Sequence, residues 1–238
     1  MMGLLKHLDV FPPADWLAIV VFLCGWVGYA IFAKRHAEQR ASLLALTNRI
    51  RRQWMYQLTF RDTRVLDGAI AQNLNSSPSF FASTTILIIG GLLAALSTGE
   101  QARAVVRDLP FTVNTSILVF ELKLVLLTAI FVYAFFRFTW SMRQYSFGAL
   151  LIASVPEATQ FLEEKLSRED FADRAGTVVG LAAESFNDGL RAYYLAFAVV
   201  AWFFSPWAFM AGTLGVIYIL YQREFNSDVL VALRAAQR

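Results

Sequence analysis

Chemistry in this chain rests on charged residues set within or beside long apolar runs. Residues 117–140 read ILVFELKLVLLTAIFVYAFFRFTW and carry Glu121, Lys123 and Arg137. A helix needs roughly 20 apolar residues to cross the hydrocarbon core of a bilayer. An ion at the middle of such a helix costs at least about 2.5 kcal/mol, so it is paired or faces protein or water. Arg143 follows one turn and a half later. Glu184, Asn187, Asp188, Arg191 and Tyr194 recur at helical spacing on one face. Arg223 and Glu224 close the last apolar run. Two kinds of work suit such residues. They can be ion-pair clamps that fix helix register, or they can line the mouths of a conduction path, where charge sets selectivity.

Other chemistry finds no support in the residues. There is no glycine-rich phosphate loop, no GxSxG elbow and no HExxH. Glu163-Glu164 and Glu169-Asp170 are paired carboxylates, but they fall in a charge-rich stretch that reads as a solvated helix surface. His7 and His36 are the only histidines and Cys24 the only cysteine, so neither a haem or zinc site nor an intrachain disulfide is expected. We therefore expect no enzyme, no cofactor, no metal and no nucleic-acid partner.

The elements that must position these residues follow from composition. Of 238 residues, 57% are hydrophobic and 16% charged, against about 25% charged in soluble domains. The fold class is all-α: one polytopic helical membrane domain, with main spans expected near 15–33, 79–96, 117–140 and 190–221. The first run ends at Lys34-Arg35 without a small-x-small cleavage site, and so reads as a retained span. Ser77 and Pro78 read as the cap and first position of the second span. Residues 97–116, with Asp108 and Pro110, read as a short loop. Ser167 precedes an acidic first turn and reads as another cap. Span four is long and holds Pro206 midway, which predicts a kink, a break or a re-entrant segment.

Two connectors, 34–78 and 141–189, form a mostly helical layer. Lysine and arginine counts place both on the cytoplasmic side, with both termini outside. The first is basic, with Glu38 and Arg40 near its start. Leu43, Leu46, Ile50, Trp54 and Leu58 give it an apolar face of helical period. Arg49, Arg51, Arg52 and Trp54 there are candidates for binding anionic lipid or a partner, and positive-inside anchoring with packing, the general rule, is the favoured explanation of them. Small-residue faces at Gly25/Gly28, Gly90/Ala94, Gly91/Ala95 and Ala208/Gly212/Gly215 predict close helix contacts and a homo-oligomer. Residues 34–72 and 141–189 would then face the cytoplasm of a bacterial inner membrane.

Four blocks together resemble the multi-pass membrane family called domain of unknown function 599. They are FFASTTIL at 80–87, FFRFTWSMRQY at 135–145, FNDGLRAYY at 186–194 and YQREF at 221–225. The resemblance implies a helical multi-pass membrane protein and no particular activity. The blocks contain the polar clusters named above. The reading that fits best is a channel or transporter for a small ion or solute. The alternative is a non-conducting accessory or scaffold protein.

Overall fold

The computed structural model describes residues 12–36, 42–107, 116–163 and 166–235. His7, Glu38, Arg40, Asp108, Pro110 and Glu164 lie outside them. The described residues form helices and no strand: α1 Pro13–His36, α2 Leu43–Leu58, α3 Val65–Ser97, α4 Gly99–Arg107, α5 Ile117–Ala153, α6 Gln160–Glu163, α7 Arg168–Ala201, α8 Pro206–Phe225 and α9 Asp228–Ala235. Three are long and apolar enough to cross a membrane: α1, α3 and α5. This is a helical membrane-embedded protein.

Two compact units partition the chain, and divisions fall inside α3, α5, α7 and the last turn of α8. The first unit contains the described parts of Met1–His36, Thr85–Ala134 and Leu190–Arg223. Its core is aromatic. Phe22 and Phe209 sit 5.1 Å apart, Trp26 and Tyr133 5.6 Å, and Phe131 and Tyr193 5.0 Å. Such pairs add about 0.5–1.5 kcal/mol each beyond their burial. Small residues bring helices close where the sequence predicted it at Gly25 and Gly212. A Cβ on Gly25 would lie 2.6 Å from Ile217 Cδ1, and one on Gly212 would lie 3.5 Å from Ala198 Cα. Gly28, Gly90, Gly91 and Gly215 have open space instead.

The run 190–221 is interrupted before Pro206, one of the outcomes its sequence predicted. α7 ends at Ala201, and α8 starts at Pro206 after a turn. Pro206 lacks the N–H that would continue the helix, and its ring clashes with the preceding turn. The Ser205 hydroxyl caps the new helix by accepting from Ala208 N at 2.9 Å. The chain then doubles back. Asp15 meets Trp202, Phe22 meets Phe209, and Tyr29 and Ala33 cluster with Leu220. α8 therefore runs parallel to α1 and antiparallel to the last part of α7. Residues 12 and 223 lie at opposite ends of this unit.

The second unit contains the described parts of Ala37–Thr84, Phe135–Gly189 and Glu224–Arg238. The expected amphipathic connector helix is present as α2. Leu46, Met55 and Leu58 are buried, while Ile50 is exposed. Ser42 caps α2, accepting from Ala45 N at 3.2 Å. Met55, Leu58, Ala71, Tyr145, Ile152, Phe161, Phe171 and Val179 form the unit's core. Leu230 of α9 is buried, and α9 packs on α2. The Ser167 cap is as expected, accepting from Asp170 N at 3.1 Å.

Two further expectations change. No helix begins at Ser77-Pro78; α3 runs through Pro78 from Val65. Pro78 cannot donate to the Leu74 carbonyl, but the turns before it are held by tertiary contacts. Ala71 is in the core and Leu74 packs against it. Asp67 accepts from Trp54 Nε1 and from Arg61 Nη1, both at 2.6 Å. The second change is in residues 97–116, where 99–107 form a helix rather than loop.

Gly176 and Gly180 seat α2 against α7. A Cβ on Gly176 would lie 2.7 Å from Arg52 Cγ and 2.8 Å from Arg52 Cα; one on Gly180 would lie 3.0 Å from Asn48 Oδ1. Backbone cannot yield as a side-chain tip can. Gly176→Ala is therefore expected to destabilise by about 1–3 kcal/mol. Gly90→Ala, facing open space, is expected to be neutral or stabilising by up to about 1 kcal/mol. Melting of the two variants in one detergent compares them directly.

Candidate functional site

The most buried cation among the described residues is Lys123, in the first turns of α5 and 2% exposed. Its ammonium donates to the Trp202 carbonyl at 2.9 Å. It also lies 5.0 Å from the Trp202 ring centroid and 5.7 Å from that of Phe203. Trp202, 1% exposed, donates its indole N–H to Asp15 Oδ1. Asp15, 5% exposed, acts electrostatically on Lys123. Two helices and a turn thus supply one cluster at one end of the first unit: α1 a carboxylate, α5 an ammonium, and the break after α7 a backbone carbonyl. The cause is local. In the turn, the Val199, Val200 and Ala201 carbonyls accept from Trp202, Phe203 and Phe204 N–H; Pro206 has no N–H to offer the Trp202 carbonyl, and Lys123 is the side chain that reaches it.

The opposite end of that unit is also polar. Arg223 Nη1 donates to the Tyr194 hydroxyl at 2.7 Å, with the guanidinium 5.3 Å from the Tyr194 ring. Arg191 lies 5.7 Å from the Tyr29 ring. Thr85 and Tyr193 hydroxyls meet at 2.6 Å. The matching expected from sequence, Glu121 and Lys123 opposite Arg223 and Glu224, does not occur. α8 returns, so Arg223 lies at the end remote from Lys123. Glu121 lies against Gly99 at the start of α4. Glu224 instead accepts from Leu44 N at 3.1 Å and supports the α2 amino terminus, where a carboxylate is favoured.

In the second unit, Arg137 Nη2 donates to Asp188 Oδ2. This joins α5 to α7 as the sequence pattern anticipated. Arg137 Nε is buried without a hydrogen-bond partner. Around the pair, Ser141 Oγ donates to Ala182 O at 2.7 Å, and Ser185 Oγ and Gln144 lie 2.7 Å apart. Gly189 lets the Phe138 ring approach the place a Cβ would take. Glu184 and Asn187 are half-buried on the same helix, and Arg143 is exposed over the Phe147 ring at 5.6 Å.

The four lipid or partner candidates divide. Trp54 is committed to Asp67 and packs on the core. Arg51 donates to Asn48 Oδ1 at 2.8 Å and Thr47 Oγ1 at 3.1 Å; burial lowers its pKa, opposed by nearby Tyr145. Arg52 lies 3.8 Å from Asp173, with both side chains mostly exposed. Arg49 is exposed.

Sequence reasoning missed Asp15, Trp202, Arg64 and Arg168. Asp15 follows Pro13 and looks like an ordinary first-turn acid, and Trp202 looks like lipid-facing bulk. Arg64 donates to the Val155 and Pro156 carbonyls, both at 2.8 Å. Arg168 donates to Thr59 and Ala158 carbonyls, and its guanidinium lies 4.2 Å from Phe60 and 4.5 Å from Phe161. The only available signal was the Pro206 break, which implied free carbonyls needing a cation nearby.

If Arg137 and Asp188 clamp α5 to α7, removing one partner strands a half-buried charge. Asp188→Ala is expected to destabilise by about 1–3 kcal/mol. A double-mutant cycle with Arg137→Ala should give a coupling of about 1–3 kcal/mol, and the swap Arg137→Asp with Asp188→Arg should restore part of it. Coupling near zero in chemical denaturation would exclude the clamp.

No curated protein and no solved structure matches this chain. A family model described as a protein of unknown function, DUF599, matches residues 17–229. That range holds all four sequence blocks and both polar clusters except Asp15. The chain belongs to the DUF599 family of membrane proteins.

Proposed function

We propose that this protein moves a small ion or solute across a membrane, with Lys123 and Asp15 as its working charges. The observation that carries the reading is the Lys123 ammonium, buried at a helix break and donating to the Trp202 carbonyl. Interrupted helices in transporters offer unwound carbonyls to cations, with carboxylates beside them. Here a lysine holds the place that a cation would take. An ammonium and a monovalent cation compete for the same oxygens. Loss of the lysine proton, or a shift of its flexible stem, frees the Trp202 carbonyl and Asp15 for an incoming cation. Aromatic neighbours stabilise either occupant.

The proposed working form is a homo-oligomer in a bacterial plasma membrane rich in anionic lipid, with no catalytic role. The exposed apolar residues Ile86, Leu87 and Leu93 on α3 support an assembly or lipid contact along that helix. A second reading is non-conducting: Lys123 only staples the break, and the protein serves as an accessory or scaffold for a membrane partner. The Arg137–Asp188 bond favours this reading for the second unit, since both charges there are engaged with each other.

Flux from proteoliposomes, followed with sodium, potassium, chloride and proton reporters, tests the proposal. Wild-type protein should exceed empty vesicles for at least one ion. The double variant Asp15→Asn with Lys123→Met removes both charges at similar volume. It should melt within a few degrees of wild type and lose flux at least about tenfold, equivalent to about 1.4 kcal/mol. Correctly inserted wild type without flux, or a double variant with unchanged flux, would remove the transport reading and leave the staple.

A further inference from the structure

The second unit holds a cavity of about 390 Å³ between α3 and α5. Binding pockets for small ligands run from about 300 to 1,000 Å³. Its polar lining comes from Gln72 and Asn75 on α3, and from Tyr145 and Ser146 on α5; Gly68 and Ala149 keep it wide. None of the lining residues is charged. Asn75 Oδ1 is buried and has no hydrogen-bond partner. A buried amide oxygen left unpaired costs about 1–3 kcal/mol, and a rotation of the Asn75 amide toward the cavity would let it accept from a donor outside the chain.

Position narrows the class of ligand. From Phe80 to Ser97 α3 carries no polar group beyond serine and threonine, and α5 is mainly apolar up to Trp140 apart from Glu121, Lys123 and Arg137. The lining residues fall just beyond those limits on both helices. The cavity therefore sits where the membrane-crossing parts of two helices emerge, at headgroup level. An anionic headgroup finds no cation in its lining. A polyhydroxyl group has donors for Asn75 Oδ1, acceptors and donors for Gln72 and Ser146, and an apolar ring face for Tyr145.

We propose that this cavity binds the uncharged sugar headgroup of a membrane glycolipid, the acyl chains remaining in the leaflet. A free sugar shares the headgroup chemistry but lacks the anchor. The site is separate from Lys123 and stands or falls independently of transport.

The test is native mass spectrometry of the full chain released from nanodiscs. The discs contain monoglucosyl diacylglycerol and phosphatidylglycerol at equal mole fraction, and a parallel sample without glycolipid receives free glucose. Wild type should retain one glycolipid per chain in preference to phosphatidylglycerol, and glucose alone should not be retained. Ala149→Trp, which fills the cavity, should reduce retention to background. Asn75→Leu should reduce it about fivefold while melting no lower than wild type, because the orphan oxygen is gone; this keeps the test decisive if the tryptophan variant does not fold. Preferential retention of phosphatidylglycerol, equal retention of glucose, or wild-type retention by Asn75→Leu would each overturn the proposal.

Discussion

The hydrogen bond from Lys123 to the Trp202 carbonyl is the constraint on which the first unit turns. α7 ends at Ala201 and the chain turns before Pro206. With the break it returns, and the returning helix α8 packs along α1 through Phe209, Thr213 and Leu220. A break in an apolar setting exposes carbonyls that no water satisfies, and each unsatisfied group costs several kcal/mol. One lysine settles that cost at Trp202, and Asp15 balances the lysine while holding the indole. Three side chains thus convert an unfavourable turn into a fixed corner.

The second unit solves the same problem with arginine. Arg64 and Arg168 each donate to two backbone carbonyls around 155–158 and 59. The planar fork of a guanidinium suits two neighbouring oxygens, which an ammonium cannot span as well. The basic connector is therefore basic partly for internal reasons. Positive charge that sequence alone assigns to the leaflet is, at Arg61, Arg64 and Arg51, spent on Asp67, on backbone carbonyls and on Asn48. Arg49 and the mostly exposed Arg52 of α2 face outward.

Sequence legibility followed the range of the forces. Long apolar runs and the period of α2 are local patterns, and they gave α1, α2 and the helix through Trp140 into Ala153. The α5–α7 pair Arg137–Asp188 was legible because both residues sit on regular helices whose ends are set by composition. Pro78 misled because a proline after two serines has the same local signature as a helix start. Tertiary packing of Ala71 and Leu74 overrode it. Asp15 and Trp202 were illegible for a different reason. Their meaning depends on α8 doubling back, and a proline signals a break without saying which way the chain leaves it.

The two glycine patterns carry the last step. Gly25, Gly148, Gly176 and Gly189 each face a neighbour closer than 3 Å to an added Cβ, and all join helices within one unit. Gly90 and Gly91 on α3 meet nothing. Identical residues in similar apolar helices therefore have opposite roles, and small size alone does not mark a contact. What separates them is the partner's shape. The contacting glycines oppose Ile217, Val179, Arg52 and Phe138, each too bulky for helix approach without the missing Cβ. An oligomer along α3 would need comparable knobs from a second chain, such as the exposed Leu87 or Leu93 of that same helix. A symmetric pairing in which each leucine fills the other copy's glycine notch meets that requirement with residues the helix already exposes.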